Sequence, residues 1–340
     1  MPRHTTVADP TPSPAAAAPA PVRALPPVRA LPLVALGALA LVSTACNPTA
    51  DTLTVGSKFF TEQDILGELV ATWIERTTDL EVDRRLHLGG TFICHRALRS
   101  GELDLYVEYT GTALTAILGK EPLQDPAAVY DTVRRAYREK WGLAWTEPLG
   151  FENSFALLVR SSTADSLGLS TVSDLARHAG ELAAGMGYEF VEREDGLPGL
   201  KETYGLDFAG EPRTMELGLI YRALAEGKVD VVAGNSTDGQ IEALELVALE
   251  DDLRYFPPYQ AAPVVRGDVL EARPALRRSL RRLGGRIDTR EMRRLNRLVD
   301  VEGRDHGEVA RAWVDSALSD AAAGPAGAAA GSAAAEDAGG

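Results

Sequence analysis

Between Thr52 and Gly119 the chain changes its hydrophobic period again and again, and this constrains the fold more than any other feature. "TLTVGS" (52–57) alternates and is β-branched, the pattern of a strand. Thr61 then leads into "EQDILGELVATWIER", whose apolar residues Ile65, Leu69 and Trp73 share one helical face, with Thr61 as N-cap. "LHLGG" (86–90) reads as the close of a second strand, and "TFICHRALRSG" as a helix ended by Gly101. "LDLYVEY" (103–109) is a third strand and "TGTALTAILG" (110–119) a further helix. Strand, helix, strand, helix, strand is the order of a parallel sheet with right-handed crossovers, so the chain is of the α/β class.

A second block of the same kind follows. "SFALLVR" (154–160) is a strand, "STVSDLARHA" (170–179) a capped helix and "LAAGMGYEF" (182–190) a strand. "ELGLIYRALAEG" (216–227) is a helix and "KVDVVAG" (228–234) another strand. "RYFPPYQAAPVVR" (254–266) carries Pro257 and Pro258, which a helix interior cannot accept, and suits an extended crossing. Four or so helical segments fill the stretch from Asp268 to Leu318. The expected architecture is two α/β lobes, 51–150 plus 256–318 and 151–255, with the chain crossing between them more than once. A cleft at the carboxyl ends of the strands is where such a fold takes a ligand.

The two ends are of another character. Arg23 and Arg29 precede "ALPLVALGALALVSTAC", an apolar run too short to span a bilayer as a mature helix, so residues 1–46 read as a secretory signal. Its end resembles a bacterial lipobox, with Ser43 where that motif has Leu or Val, and Cys46 would then carry the lipid. The protein is expected at the periplasmic or outer face of the cytoplasmic membrane, anchored through Cys46. Residues 319–340, nearly all Ala, Gly and Ser from Ala321 onward, read as a flexible tail.

A net charge of -14 argues against nucleic acid as a partner. The basic run 277–297 reads as a solvated helix face. No G-x-x-x-x-G-K-[ST], no G-x-G-x-x-G after a strand and no H-E-x-x-H occurs, and "GNSTDG" (234–239) misses the nucleophile elbow by one residue. No Ser/His/Asp set can be assembled from five histidines. Neither catalysis, a cofactor nor a metal is expected; Cys94 reads as a small buried hydrophobe and His95 beside it has no ligand cluster.

What recurs is an aromatic residue at a strand end beside a helix entrance. Tyr106 and Tyr109 precede Thr110 and Thr112, Phe155 follows Asn153, and Tyr259 follows the double proline. Helix N-termini suit an anionic group, and aromatic faces attract a cation that cannot donate hydrogen bonds. A zwitterion such as a betaine would use both.

At this point "VGSKFFTEQDILGEL", "LGGTFICHRALRSGELDLYVEYTGTALTAIL", "GFENSFALLVR", "EFVEREDGLPGLKETYGLDF", "STDGQI" and "MRRLNRLVDVEGRD" resemble, in order and spacing, the substrate-binding proteins of osmoprotectant ABC transporters. Those proteins take up glycine betaine, choline, carnitine and related amines. The resemblance implies a type II periplasmic-binding-protein fold with a two-crossing hinge, and a permease and an ATPase as partners. It implies that Lys58, Thr112 and Arg193 grip a ligand carboxylate, and that Tyr109, Asn153, Phe155 and Tyr259 line a cage for the quaternary amine. Phe155 stands where many members have Tyr, and Asn235 where many have an aromatic residue, so one wall of the cage changes character. Tyr106 lies outside the matched cage and reads as packing. The alternatives are the same fold turned to an ergothioneine-like betaine or a polar amine, or to a receptor that senses without transport.

Overall fold

The computed structural model describes residues 52–323. Residues 1–46, expected to be a signal segment ending at Cys46, and the residues beyond Ala323 lie outside the described residues.

Ten strands form two five-stranded sheets. The first holds β1 (Thr52–Gly56), β2 (Glu81–Arg85), β3 (Leu105–Tyr109), β4 (Leu143–Trp145) and β10 (Ala261–Arg266), in the order β2-β1-β3-β10-β4. The second holds β5 (Phe155–Arg160), β6 (Ala184–Met186), β7 (Arg213–Thr214), β8 (Val231–Asn235) and β9 (Leu246–Ala248), in the order β7-β6-β8-β5-β9. Neither sheet is purely parallel, as the crossover pattern alone suggested. β10 runs antiparallel to β3 and β4, and β5 antiparallel to β8 and β9, because each of these strands enters its sheet directly from the other lobe rather than over a helix.

Local departures have physical causes. The second strand is "EVDRR", ahead of "LHLGG"; as an edge strand with alternating exposure it carries charges where an apolar alternation was sought. Arg84 on it forks onto Glu75 at 2.8 and 2.7 Å and reaches Glu68 at 2.8 Å, tying β2 to the helix Thr61–Thr77. Thr61 does not cap that helix: the cap is Phe60, in extended conformation with no side-chain bond, and Thr61 donates to Asp300 at 2.6 Å. In "LAAGMGYEF" only Ala184–Met186 is strand, and Tyr188–Glu192 turns into a short helix. Beyond β3, Thr110–Thr112 starts helical and widens to a π-turn over Ala113–Ile117. The final helix, His306–Ala323, runs past Leu318 into the expected tail.

The helix Pro126–Trp141 is the largest element the periodicity did not assign. Asp125 caps it by accepting from the Ala128 N–H at 2.7 Å, with Pro126 in its first turn. The C-terminal helices close over the first lobe, where Trp73 donates its indole N–H to the Ser279 carbonyl at 2.9 Å. Cys94 is fully buried, and burial pushes its thiol up to about 12, in keeping with a packing role.

The chain passes between sheets twice, through 146–154 and 249–260, and the two passages pair with each other. Glu152 bridges Gln260, the Asn153 N–H donates to the Tyr259 carbonyl at 3.1 Å, and the Ala261 N–H to the Phe151 carbonyl at 3.2 Å. Asn153 and Tyr259 are thereby held side by side where the lobes meet. Among the described residues no helix is long and apolar enough to cross a membrane.

Candidate functional site

A cavity of about 60 Å³ lies where the strand ends, the two crossings and the short helix Tyr188–Glu192 converge. That is room for a few waters or for one small organic molecule in their place. All eight residues singled out from sequence line it: Lys58, Tyr109, Thr112, Asn153, Phe155, Arg193, Asn235 and Tyr259. They arrive from six pieces of chain, two of which supply a pair each, Tyr109 with Thr112 and Asn153 with Phe155. Lys58 follows β1, Tyr109 ends β3, and Thr112 opens the helix beyond it. Asn153 and Tyr259 come from the paired crossings. Phe155 opens β5 directly opposite Asn235, the last residue of β8.

Part of the cavity lining is aromatic. The Phe155 ring meets Tyr259 edge-on at 5.9 Å and Phe190 at 4.9 Å, while Tyr109 stacks with Phe60 at 6.4 Å. Burial holds the phenols of Tyr109 and Tyr259 well above their ordinary range, so both stay neutral. Tyr259 Oη and Asn153 Oδ1 are buried and have no hydrogen-bond partner in the protein, which is unusual enough to mark a place for a ligand. Tyr106 points away from the cavity lining and donates to Glu108 at 3.0 Å.

The rest of the lining is rich in donors, and its cations are already partnered. Lys58, 3% exposed, pairs with the fully buried Glu108 and donates to Thr91 Oγ1 at 3.2 Å. Glu108 also receives the Tyr109 N–H at 2.7 Å. Arg193 forks onto Asp195 at 2.8 and 2.6 Å and lies 5.4 Å over the Phe155 ring. Asp195 takes a second bond across the cleft from Thr115 Oγ1 at 2.5 Å. Neither Lys58 nor Arg193 is thus the bare clamp that the resemblance implied.

Between them stands Glu189, from the second lobe. Its carboxylate accepts the Thr91 N–H at 2.5 Å and the Thr91 hydroxyl at 3.3 Å, at the N-terminus of the helix Thr91–Ser100. Arg193 Nη1 is 3.9 Å away. A Cβ on Gly90 would come within 2.1 Å of this carboxylate, so a larger residue there would displace Glu189 from its place. A carboxylate therefore already sits among donors that suit one. Sequence reasoning missed Glu62, Glu108, Glu189 and Asp195; the signal available for Glu108 was a lone acid inside an otherwise apolar central strand.

Asn235 does not point freely into the cavity. Its side chain and its N–H both donate to Asp238, at 3.3 and 2.9 Å, and Tyr221 donates its hydroxyl to the same oxygen. Burial raises the Asp238 pKa to about 7, with Glu62 and Asp300 adding repulsion. The folded protein therefore holds a proton that the unfolded chain releases near pH 4, and stability falls as pH rises from about 4 to about 7. Burial raises Glu62 and Asp300 in the same direction, so the slope belongs to all three acids. Thermal midpoints followed from pH 5 to pH 8 are expected to decline, and Asp238→Asn to flatten the decline; an unchanged slope in the variant would locate the proton elsewhere.

Residues 51–316 match the family described as the substrate binding domain of ABC-type glycine betaine transport systems. The carnitine transport binding protein OpuCC of Listeria monocytogenes is 35% identical over 266 residues, spanning 78% of this chain and 86% of that one. The glycine-betaine-binding protein of Pseudomonas aeruginosa is 36% identical over 272 residues, spanning 77% and 86%. The crystal structure of a glycine betaine/carnitine/choline ABC transporter component superposes with a TM-score of 0.65 at 35% identity, over 78% of this chain and 98% of that one. With its two α/β lobes, paired crossings and cavity between the strand ends, the chain belongs to the family of substrate-binding domains of ABC-type glycine betaine transport systems.

Proposed function

We propose that the protein binds glycine betaine or a close quaternary-amine relative between its lobes and delivers it to the permease and ATPase of an importer. The observation that carries this reading is one small cavity whose lining brings aromatic rings and anion-binding donors together. A trimethylammonium group fits among Tyr109, Phe155 and Tyr259, whose faces attract a cation that needs no hydrogen bonds. A carboxylate fits at Thr91 and Arg193, where Glu189 now lies. Ligand touching both lobes favours the closed form, which the permease would recognise. No chemical step is assigned to the site: the acids are engaged as hydrogen-bond acceptors, and the relatives are named as binding proteins. In this reading the protein acts outside the cytoplasmic membrane, held there by lipid on Cys46.

A second reading, a bulkier or hydrogen-bonding betaine such as ergothioneine, draws on Phe155 and Asn235, which replace aromatic hydroxyl and aromatic ring by a plain ring and an amide. The narrow cavity and the engagement of Asn235 with Asp238 favour the smaller ligand. Isothermal titration with glycine betaine, choline, carnitine, proline betaine and ergothioneine tests both. Micromolar or tighter binding of glycine betaine or choline is expected. Binding of ergothioneine alone would move the ligand class to the second reading, and silence with all five would sink the quaternary-amine assignment.

A further inference from the structure

Glu62 stands in the first turn of the helix Thr61–Thr77, where an acid is ordinarily a solvated partner of the helix dipole. Here it is 1% exposed. Its Oε1 accepts from the Tyr109 hydroxyl at 2.7 Å and from Asn153 Nδ2 at 2.8 Å. Its Oε2 accepts from the Thr237 hydroxyl at 2.5 Å and from Asn296 Nδ2 at 2.9 Å. Four neutral donors surround the carboxylate, and each oxygen receives an amide N–H that can only donate, an arrangement suited to the ionised form. Among the described residues no cation forms an ion pair with it, whereas Lys58 is balanced by Glu108 and Arg193 by Asp195. Burial raises the Glu62 pKa while the four donors lower it. Once ionised the carboxylate has no counter-ion of its own, and a cation brought into the cavity would favour its charged form.

Two of the four donors are walls of the cavity, Tyr109 and Asn153. We propose that Glu62 is the buried counter-charge for the cationic head of the ligand, acting through Tyr109 and Asn153 without touching it. This rests on the quaternary-amine reading and names the residue behind its specificity. A phenol that donates to a carboxylate gains electron density, so the Tyr109 ring becomes a better face for a cation. An amide held by its N–H end keeps its oxygen for other use, and Asn153 Oδ1 is the buried acceptor left without a partner. Glu62 is therefore a positioning and specificity residue. It also ties its helix to Thr237 in the second lobe and to Asn296, so a purely structural role must be told apart by experiment.

The discriminating pair of ligands is glycine betaine and 3,3-dimethylbutanoate, which replaces the charged nitrogen by carbon at nearly the same shape. Both are titrated against the full chain and its Glu62→Gln variant at one pH. The variant is expected to bind glycine betaine about tenfold or more weakly, because a unit charge at this range in a buried site is felt strongly. Its affinity for 3,3-dimethylbutanoate is expected to stay within about twofold, since a neutral head does not sense the charge. Tyr109→Phe keeps the ring and Glu62 but removes the hydroxyl that links them, and is expected to weaken the cation alone, by a smaller factor. Equal losses for both ligands would mean that Glu62 is structural only, and an unchanged affinity for glycine betaine that its charge does not reach the head; either result overturns the inference. A wild type that binds no quaternary amine would overturn the binding reading and this inference with it. A wild type that binds glycine betaine beside a Glu62→Gln variant that keeps the same preference for the cation would overturn this inference alone.

Discussion

Lys58→Met is expected to lower the unfolding free energy by about 3–5 kcal/mol, the range found when one partner of a buried ion pair is removed. Lys58 and Glu108 are 3% and 0% exposed, and Glu108 lies in the central strand of the first sheet. The Tyr106 hydroxyl and the Tyr109 N–H would still donate to Glu108, which softens the loss without neutralising the charge. Adding Glu108→Gln removes that charge, so the double variant is expected to recover most of the stability. Urea unfolding of the single and double variants measures both. A single variant within about 1 kcal/mol of wild type would mean that Lys58 is not the anchor of this pair and is free to serve the ligand, as the resemblance implied.

Gly111→Ala is expected to act on binding more than its one methyl suggests. The added carbon would lie 2.7 Å from two ring carbons of Tyr259 and 2.9 Å from the Pro258 carbonyl. The backbone oxygen cannot give way cheaply, so the Tyr259 ring must move, at about 1–3 kcal/mol of overpacking. That ring meets Phe155 at 5.9 Å, and its displacement opens the aromatic part of the cavity lining. Affinity for a quaternary amine is expected to fall by about tenfold or more, the loss of roughly one cation–π contact. Gly218→Ala is the control: a methyl there meets nothing within 4 Å, and in a helix it is neutral or stabilising by up to about 1 kcal/mol. Equal behaviour of the two variants in a titration would show that the Gly111–Tyr259 contact does not shape the cavity.

β1 was legible from its alternation, and β3, β5 and β8 as short apolar runs buried at central or near-central positions, whereas β10 lay inside a stretch read as an extended crossing and not as a strand. β2 was placed too late in the chain because an edge strand wears its charges outward, and β6 too long because Gly187, just past its end, has no side chain to show where pairing stops. The helix Pro126–Trp141 had its stop signs in plain view, Asp125–Pro126 before it and Gly142 after it, yet its apolar stripe is narrow, with only Val129, Val133 and Tyr137 buried. At the site, the pattern of aromatics at strand ends pointed to Tyr109, Thr112, Asn153, Phe155 and Tyr259, and the family resemblance added Lys58, Arg193 and Asn235; all eight line one cavity. The acids behind them were not legible, because Glu62 in a first helical turn and Asp195 after an arginine look like ordinary solvated charges. Only the fold says that they are enclosed.

Glu189 gives the cavity an occupant of its own. A carboxylate tethered to the second lobe meets the Thr91 N–H at an effective concentration on the order of millimolar or above, whatever the solution contains. A free carboxylate that takes this seat has to outcompete it, so the apparent affinity is set by the ratio of the two and not by the donors alone. Competition also works in the outward direction. As such a ligand left, the tethered acid would return to the same N–H, and the helix terminus would go from one anion to another without standing bare. A binding protein for an importer must surrender what it holds, and a resident rival for the anionic seat makes surrender easier.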